Sequence, residues 1–383
     1  KIQDTSNNFN ITFIMNHRLN IFCLYFFLSI IANAQEMKWW NPQNSTINAI
    51  EGQAWQGEHE GFYDRLPTRA KSIEVWARSK FSSGLTIRFK TNSPTIQIRY
   101  KVGGRLTLPT MPAVGASGLD LYAVNGDKFY WCRPATTFGD TIIYKYTGLK
   151  PTPSYYEEGL EYKLFLPPYN SILSLEIGVY ENRTFMPLSS RDELPIIVYG
   201  TSITQGGCAS RPGMTWTSIL QRKLNKPLIN LGFSGNGRLE PEVIQLICEL
   251  DAAIFILDCL PNLTSETVYD DKKLETLIIN AVKDIRDKHP QTPIILTDHD
   301  GYSSGFKNAI SQPRYHRYYN RVNKVMDKAF AKLKRQGIKD IYHLSFDDID
   351  QLQDGKVDGT HPSDLGMMQI ATAYEKIIRE ILK

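Results

Sequence analysis

Beyond Arg191-Asp192-Glu193-Leu194-Pro195 the hydrophobic pattern of this chain changes from short alternation to continuous apolar runs. Ile196-Ile197-Val198-Tyr199, Ala253-Ile254-Phe255-Ile256-Leu257 and Pro293-Ile294-Ile295-Leu296 carry apolar side chains at successive positions, so as strands they bury both faces. Stretches with helical periodicity separate them, at 215–224, 241–250, 271–289 and 315–336. Strand alternating with helix predicts an α/β unit, an open and mostly parallel sheet flanked by helices. Such a sheet takes its ligands beyond the carboxyl ends of its strands.

The first half follows a different rule. Ser72–Trp76, Leu85–Phe89, Thr95–Tyr100, Tyr162–Leu166 and Ser174–Ile177 alternate apolar and polar residues between turn formers. Half-buried strands this short predict a β-sandwich, jelly-roll-like, ahead of the α/β unit. Trp39, Trp40, Trp55, Trp76 and Trp131 fall in or just before these runs and are expected to fill the sandwich core, although aromatic faces also suit sugar rings. The 383 residues exceed the usual span of one core, which gives a division into 1–34, 35–190 and 191–383.

Residues 1–34 have the grammar of an export signal: Met15-Asn16-His17-Arg18 is basic, Ile21–Ile31 is apolar, and Ala32-Asn33-Ala34 suits cleavage. The apolar run is shorter than the roughly 20 residues of a membrane span. A secreted or periplasmic protein is therefore expected, without stable membrane insertion after cleavage. Net charge is +4 with both signs interspersed, which gives no basis for a nucleic-acid partner. Cys132, Cys208, Cys248 and Cys259 remain after the signal, where disulfides persist. Cys208 and Cys259 both follow apolar strands, so either they pair or they are buried thiols.

Four short blocks in the α/β unit carry chemistry. Ser202, in Gly200-Thr201-Ser202-Ile203-Thr204, follows the first buried strand, where a serine is exposed at a strand-to-helix turn and its own N–H can face an oxyanion. Gly232, in Asn230-Leu231-Gly232-Phe233-Ser234, lets backbone approach a substrate without a Cβ. Asn262, in Asp258-Cys259-Leu260-Pro261-Asn262, offers a side-chain NH₂ to the same oxygen. His361 stands three residues after Asp358, close enough for the carboxylate to fix the imidazole tautomer while the other nitrogen takes a serine proton. Each block alone has a commoner structural reading as a cap, a turn glycine, an Asx turn or a surface loop. Their joint order supplies nucleophile, oxyanion donors, base and orienting carboxylate.

On these blocks, the region from about 195 to 383 resembles the SGNH (GDSL-type) hydrolase superfamily, and Gly118-Leu119-Asp120-Leu121-Tyr122 resembles the Gly-x-Asp-Leu-Tyr signature of an extracytoplasmic branch with an N-terminal β-domain. The resemblance implies an SGNH/flavodoxin-like fold, a catalytic triad of Ser202, Asp358 and His361, and an oxyanion hole of Ser202, Gly232 and Asn262. It implies no cofactor and no metal. Two blocks depart from the commoner pattern, with Gly-Thr-Ser in place of Gly-Asp-Ser and Cys-Leu-Pro-Asn in place of Gly-x-Asn-Asp.

The expected activity is hydrolysis of small acyl esters, acetyl above all, through an acyl-enzyme. A carbohydrate as the alcohol partner rests on export, the attached β-domain and the resemblance. The alternatives are a short-chain lipase, an acyltransferase, or a catalytically silent polysaccharide-binding protein. Asp298-His299-Asp300 is read as pocket lining rather than a metal site, because neighbouring residues of an extended strand face opposite ways. Arg211 and Arg238 either meet an acidic sugar or tether their loops.

Overall fold

The computed structural model describes residues 36–150, 159–302, 312–351 and 353–383. The predicted export signal lies outside them, and no described helix is long and apolar enough to cross a membrane.

The first half forms two antiparallel sheets. In chain order its strands are β1 (Met37–Trp40), β2 (Ile50–Glu51), β3 (Thr86–Thr91), β4 (Thr95–Val102), β5 (Asp120–Asn125), β6 (Lys128–Cys132), β7 (Ala135–Thr137), β8 (Ile142–Thr147), β9 (Leu160–Phe165), β10 (Ile172–Tyr180) and β11 (Phe185–Pro187). One sheet runs β1-β10-β4-β8-β7 and the other β11-β3-β9-β5-β6, with β2 on β3. Their inward side chains meet in one core: Ile96, Ile98, Tyr144 and Ile177 from the first sheet face Ile87, Phe89, Leu121 and Leu164 from the second. Each such fully buried aliphatic contributes about 1.5–3 kcal/mol of transfer free energy.

The second half is a five-stranded parallel sheet with order β13-β12-β14-β15-β16, built from β12 (Ile196–Gly200), β13 (Leu228–Gly232), β14 (Ile254–Asp258), β15 (Ile294–Thr297) and β16 (Ile341–Leu344). Helices α1 (Pro241–Ile247), α2 (Asp271–Lys288) and α3 (Pro313–Arg335) cover one face. Two more, α4 (Trp216–Leu224) and α5 (Asp364–Ile381), cover the other. Every residue of β12, β13, β14 and β15 is buried, as the continuous apolar runs require.

Ser72–Trp76 is not a strand. It is a turn leading into a short helix at Trp76–Ser79, because Ile73, Val75 and Trp76 pack onto the helix-covered core of the parallel sheet. Ala54, Trp55, Leu66 and Ala70 join the same core, so the segment before β3 clamps the α/β unit. The tryptophans also depart from expectation: Trp55 and Trp76 pack on the core of the parallel sheet, only Trp40 packs against the sandwich core, and Trp131 stands 46% exposed on β6.

The Gly-x-Asp-Leu-Tyr residues form the joint between the halves. Asp120 Oδ2 accepts from Arg211 Nη1 and from Gly213 N–H, both at 2.7 Å, and its Oδ1 accepts from Trp131 Nε1 at 2.9 Å. Tyr122 Oη accepts from Arg211 at 2.8 Å, so Arg211 tethers its loop. Gly118 has no alternative there, since a Cβ would lie 2.3 Å from Val114 O and 2.5 Å from Tyr144 Oη.

Candidate active site

β12 ends at Gly200, and Thr201 caps a one-turn helix, Ser202–Gln205, by accepting from Ile203 N–H. Ser202 is the first residue of that helix, where a backbone N–H has no intrahelical partner. The turn closes at Gly206 (φ +106°), whose missing Cβ leaves room for Thr215 Cγ2 at 2.2 Å. Tyr169, from the antiparallel half, donates its hydroxyl to Ser202 C=O at 3.2 Å.

His361 Nε2 lies 2.8 Å from Ser202 Oγ, and His361 Nδ1 lies 2.8 Å from Asp358 Oδ2. Asp358 Oδ1 also accepts from the N–H groups of His361 (2.8 Å) and Thr360 (3.0 Å). Burial works to raise the Asp358 pKa, but these N–H groups and the His361 imidazole outweigh it and hold the carboxyl below its usual range. The loop carrying both residues closes through Val357 N–H to His361 O at 2.8 Å and Ser363 N–H to Gly355 O at 2.8 Å. It is pinned below by Lys356, fully buried and paired with Asp300.

Gly232 does not stand as expected. Its N–H is given to Asn230 Oδ1 at 2.8 Å, and a Cβ there would lie 2.3 Å from Gln205 N. Gly232 is thus a packing glycine that lets the Ser202 turn sit against β13. Gly235, in the turn that follows, has φ +75°, no atom within 4 Å of a Cβ position, and no acceptor for its N–H among the described residues. Asn262, in the 3₁₀ turn after β14, gives one N–H to Asn236 O at 2.6 Å, which orients its amide beside that turn and leaves the second N–H.

Other groups under the site had no signal in the sequence. Arg65 is buried and donates to Asn230 O (3.0 Å) and Gly232 O (2.8 Å), gripping the end of β13 from the first half of the chain. Burial, with no carboxylate partner, draws its pKa down to about 9. Asp258 closes β14 beside Gly200. Burial pushes it up to about 7, the charge of Asp300 adds to this, and the Tyr374 hydroxyl at 3.1 Å opposes it.

Asp298, His299 and Asp300 are buried and individually engaged: Asp298 with His343 at 2.9 Å and Phe346 N–H at 2.9 Å, His299 Nδ1 with Gly301 N–H at 2.9 Å, and Asp300 with Lys356. Arg238 Nη1 lies 3.3 Å from Glu74, and its Nη2 donates to Gly235 O. Cys132, Cys208, Cys248 and Cys259 are all free thiols, and Cys259 Sγ donates to Tyr199 O at 3.6 Å.

Residues 193–379 match the profile of the GDSL-like lipase/acylhydrolase family, and residues 37–185 match the GxDLY profile, the N-terminus of esterases of SGNH-hydrolase type. A Bacteroides ovatus protein described as a GDSL-like lipase is similar at 31% identity, with 91% of this chain and 98% of that chain covered and a TM-score of 0.79. A salicylyl-acyltransferase from a tetracycline biosynthetic pathway shares the fold at 19% identity, over 91% of this chain and 98% of that one, with a TM-score of 0.69. So does a family two carbohydrate esterase from Cellvibrio japonicus, at 11% identity, coverage of 91% and 98%, and a TM-score of 0.56. No curated protein matches the chain.

Proposed function

This chain belongs to the GDSL-like lipase/acylhydrolase family and is an esterase, and we propose that it removes a small acyl group, acetyl above all, from a carbohydrate by way of Ser202. The observation that carries the mechanism is the unbroken chain of 2.8 Å contacts from Ser202 Oγ through His361 to Asp358.

In the proposed reaction Ser202 Oγ attacks the ester carbonyl carbon while His361 Nε2 takes the hydroxyl proton. The oxyanion receives the Ser202 N–H and the free N–H of Asn262. Gly235 replaces Gly232 as the third donor, because the Gly232 N–H is already spent within the strand end. The alcohol leaves with the proton from His361, and water then hydrolyses the acyl-enzyme by the same path. Asp358, held ionised by its N–H donors, keeps His361 Nδ1 protonated so that Nε2 is the basic nitrogen.

A carbohydrate alcohol is supported by the likeness in fold to carbohydrate esterases and by the predicted export signal, which also supports a secreted or periplasmic location. The proposed division is a β-sandwich at 35–190 and a catalytic α/β unit at 191–383. The deciding experiment incubates the protein with p-nitrophenyl acetate, a p-nitrophenyl ester of eight or more carbons, and acetylated glycans. Release of acetate from glycan and faster turnover of the short ester are expected. Preference for the long ester would replace this reading with a lipase.

A further inference from the structure

We propose that Cys208, Asp358 and His361 form a binding site for a divalent ion of the zinc type, and that its occupation stops turnover. The inhibitory half of this proposal rests on the reading of His361 as the base; the binding half does not. One ligand atom from each residue lies within 4.8 Å of the other two, and among the described residues this is the one grouping of three such side chains. Thiolate, imidazole and carboxylate are the donor types that hold zinc.

The backbone holds the thiol in place at a cost. Cys208 has φ +69°, a left-handed conformation that disfavours any residue with a Cβ and takes about 1–3 kcal/mol. It is kept there by Gly207 N–H on Ser202 O (2.8 Å), by Ala209 N–H on Gly206 O (3.3 Å), and by Ser210, which donates its N–H (2.9 Å) and hydroxyl (2.5 Å) to Asp364. The thiol therefore faces the triad from a fixed turn. The proposed mechanism does not use it.

An ion reaches the site from solvent, since the His361 and Asp358 side chains are 26% and 31% exposed. Tetrahedral zinc places its ligand atoms about 3.3–3.7 Å apart. The Asp358–His361 pair, at 2.8 Å, has to open by less than about 1 Å, and the thiol, within 4.8 Å of both, has to close by up to about 1.5 Å. Binding balances as follows. The thiol gives its proton to solvent, the metal takes His361 Nδ1, and the ring proton formerly there moves to Nε2. Water fills the fourth position. A His361 protonated at Nε2 can donate to Ser202 but cannot accept its proton, so attack on the ester stops.

Asp298, His299 and Asp300 offer a useful contrast, because His343 and Lys356 already hold the two carboxylates there. In the Cys208 cluster no lysine or arginine occupies the equivalent place among the ion pairs of the described residues.

The test uses the full chain stripped of metal, with Zn²⁺ alone as the probe, read by equilibrium dialysis and by p-nitrophenyl acetate hydrolysis. Wild type is expected to retain one Zn²⁺, to lose activity with the same midpoint, and to regain it on addition of EDTA. Cys208→Ala should keep the basal rate while the midpoint for both readouts rises by at least roughly tenfold, the lower end seen even for loss of an outer-shell partner. If that variant does not fold, Cys208→Ser, which keeps the shape of the side chain, reads the same loss. His361→Ala should lose the dialysis signal, which tests the site without any turnover. Equal midpoints for wild type and the Cys208 variants, or no zinc retained by wild type, overturns the proposal. Zinc retained by wild type with the turnover rate unchanged overturns the inhibitory half and, with it, the reading of His361 as the base.

Discussion

Glu51 and Asp258 are both buried carboxylates, and the two halves of the molecule treat them in opposite ways. Glu51, on β2 of the antiparallel half, meets Lys163 Nζ at 2.5 Å and Arg191 Nε at 2.7 Å. Burial alone would raise its pKa, but the two cations overcome that and hold the carboxyl well below the usual range. Asp258, at the rim of the parallel sheet, has a tyrosine hydroxyl and a neighbouring acid instead, and burial pushes it up to about 7. At Glu51 the charge is paired and spent on the fold. The rim leaves hydrogen-bonding capacity unspent at the second N–H of Asn262 and the N–H of Gly235, and Asp258 there has hydroxyl partners but no paired cation among the described residues. Pairing stabilises a scaffold, whereas unspent hydrogen-bonding capacity is what a reaction centre needs.

The contrast is tested hardest at Ser202 and His361. Alanine at either position should lower kcat by a factor on the order of 10⁶, because nucleophile and base act as a unit. The unfolding midpoint should barely move. Near wild-type turnover in a contaminant-free preparation of either variant would break the comparison at its functional end.

At the structural end, Glu51→Ala leaves Lys163 buried without its carboxylate. A loss of about 3–5 kcal/mol in denaturant-measured stability is expected, with kcat unchanged in the folded fraction. A fall in kcat without a fall in stability would mean that the antiparallel half does more than scaffold.

Asn262→Ala tests whether the spare N–H at the rim is used. A fall of roughly 10²–10³ in kcat is expected, the scale for one lost oxyanion donor, with KM little changed. A change confined to KM would assign Asn262 to substrate binding instead.

The smallest change per step of the measurement concerns pH. Between about pH 4, where an unfolded aspartate titrates, and about pH 7, the native chain keeps a proton on Asp258 that the unfolded chain has lost. Its contribution is therefore present in full at low pH and declines as pH rises through that window, by at most about 1.4 kcal/mol per pH unit. Asp258→Asn should remove this slope from a plot of stability against pH. An unaltered slope would show that Asp258 is not the odd carboxylate the comparison makes it.

Much of this was legible in the residues. Ile196–Tyr199, Ala253–Leu257 and Pro293–Leu296 announced a parallel sheet, since strands apolar at every position alternate there with helical stretches. The predicted helices at 215–224 and 271–289 match Trp216–Leu224 and Asp271–Lys288 to within a residue. Ser72–Trp76 was misread because Ile73 and Val75 alternate like a strand, yet what they pack against is a sheet more than a hundred residues downstream. At Gly232 the sequence is ambiguous, because a glycine after a strand looks the same whether its N–H faces a substrate or, as the structure has it, an asparagine two residues earlier.

The sequence by itself determined the types and order of the elements and the chemical kinds of the reacting groups, because periodicity and functional groups are local properties of the chain. Tertiary structure alone decided which N–H groups are free, that Arg65 and Tyr169 from the first half brace the end of β13 and the Ser202 turn, and that Cys208 stands beside His361 and Asp358. Those outcomes depend on distances between residues far apart in the chain, and such distances exist only once burial has folded both halves against each other.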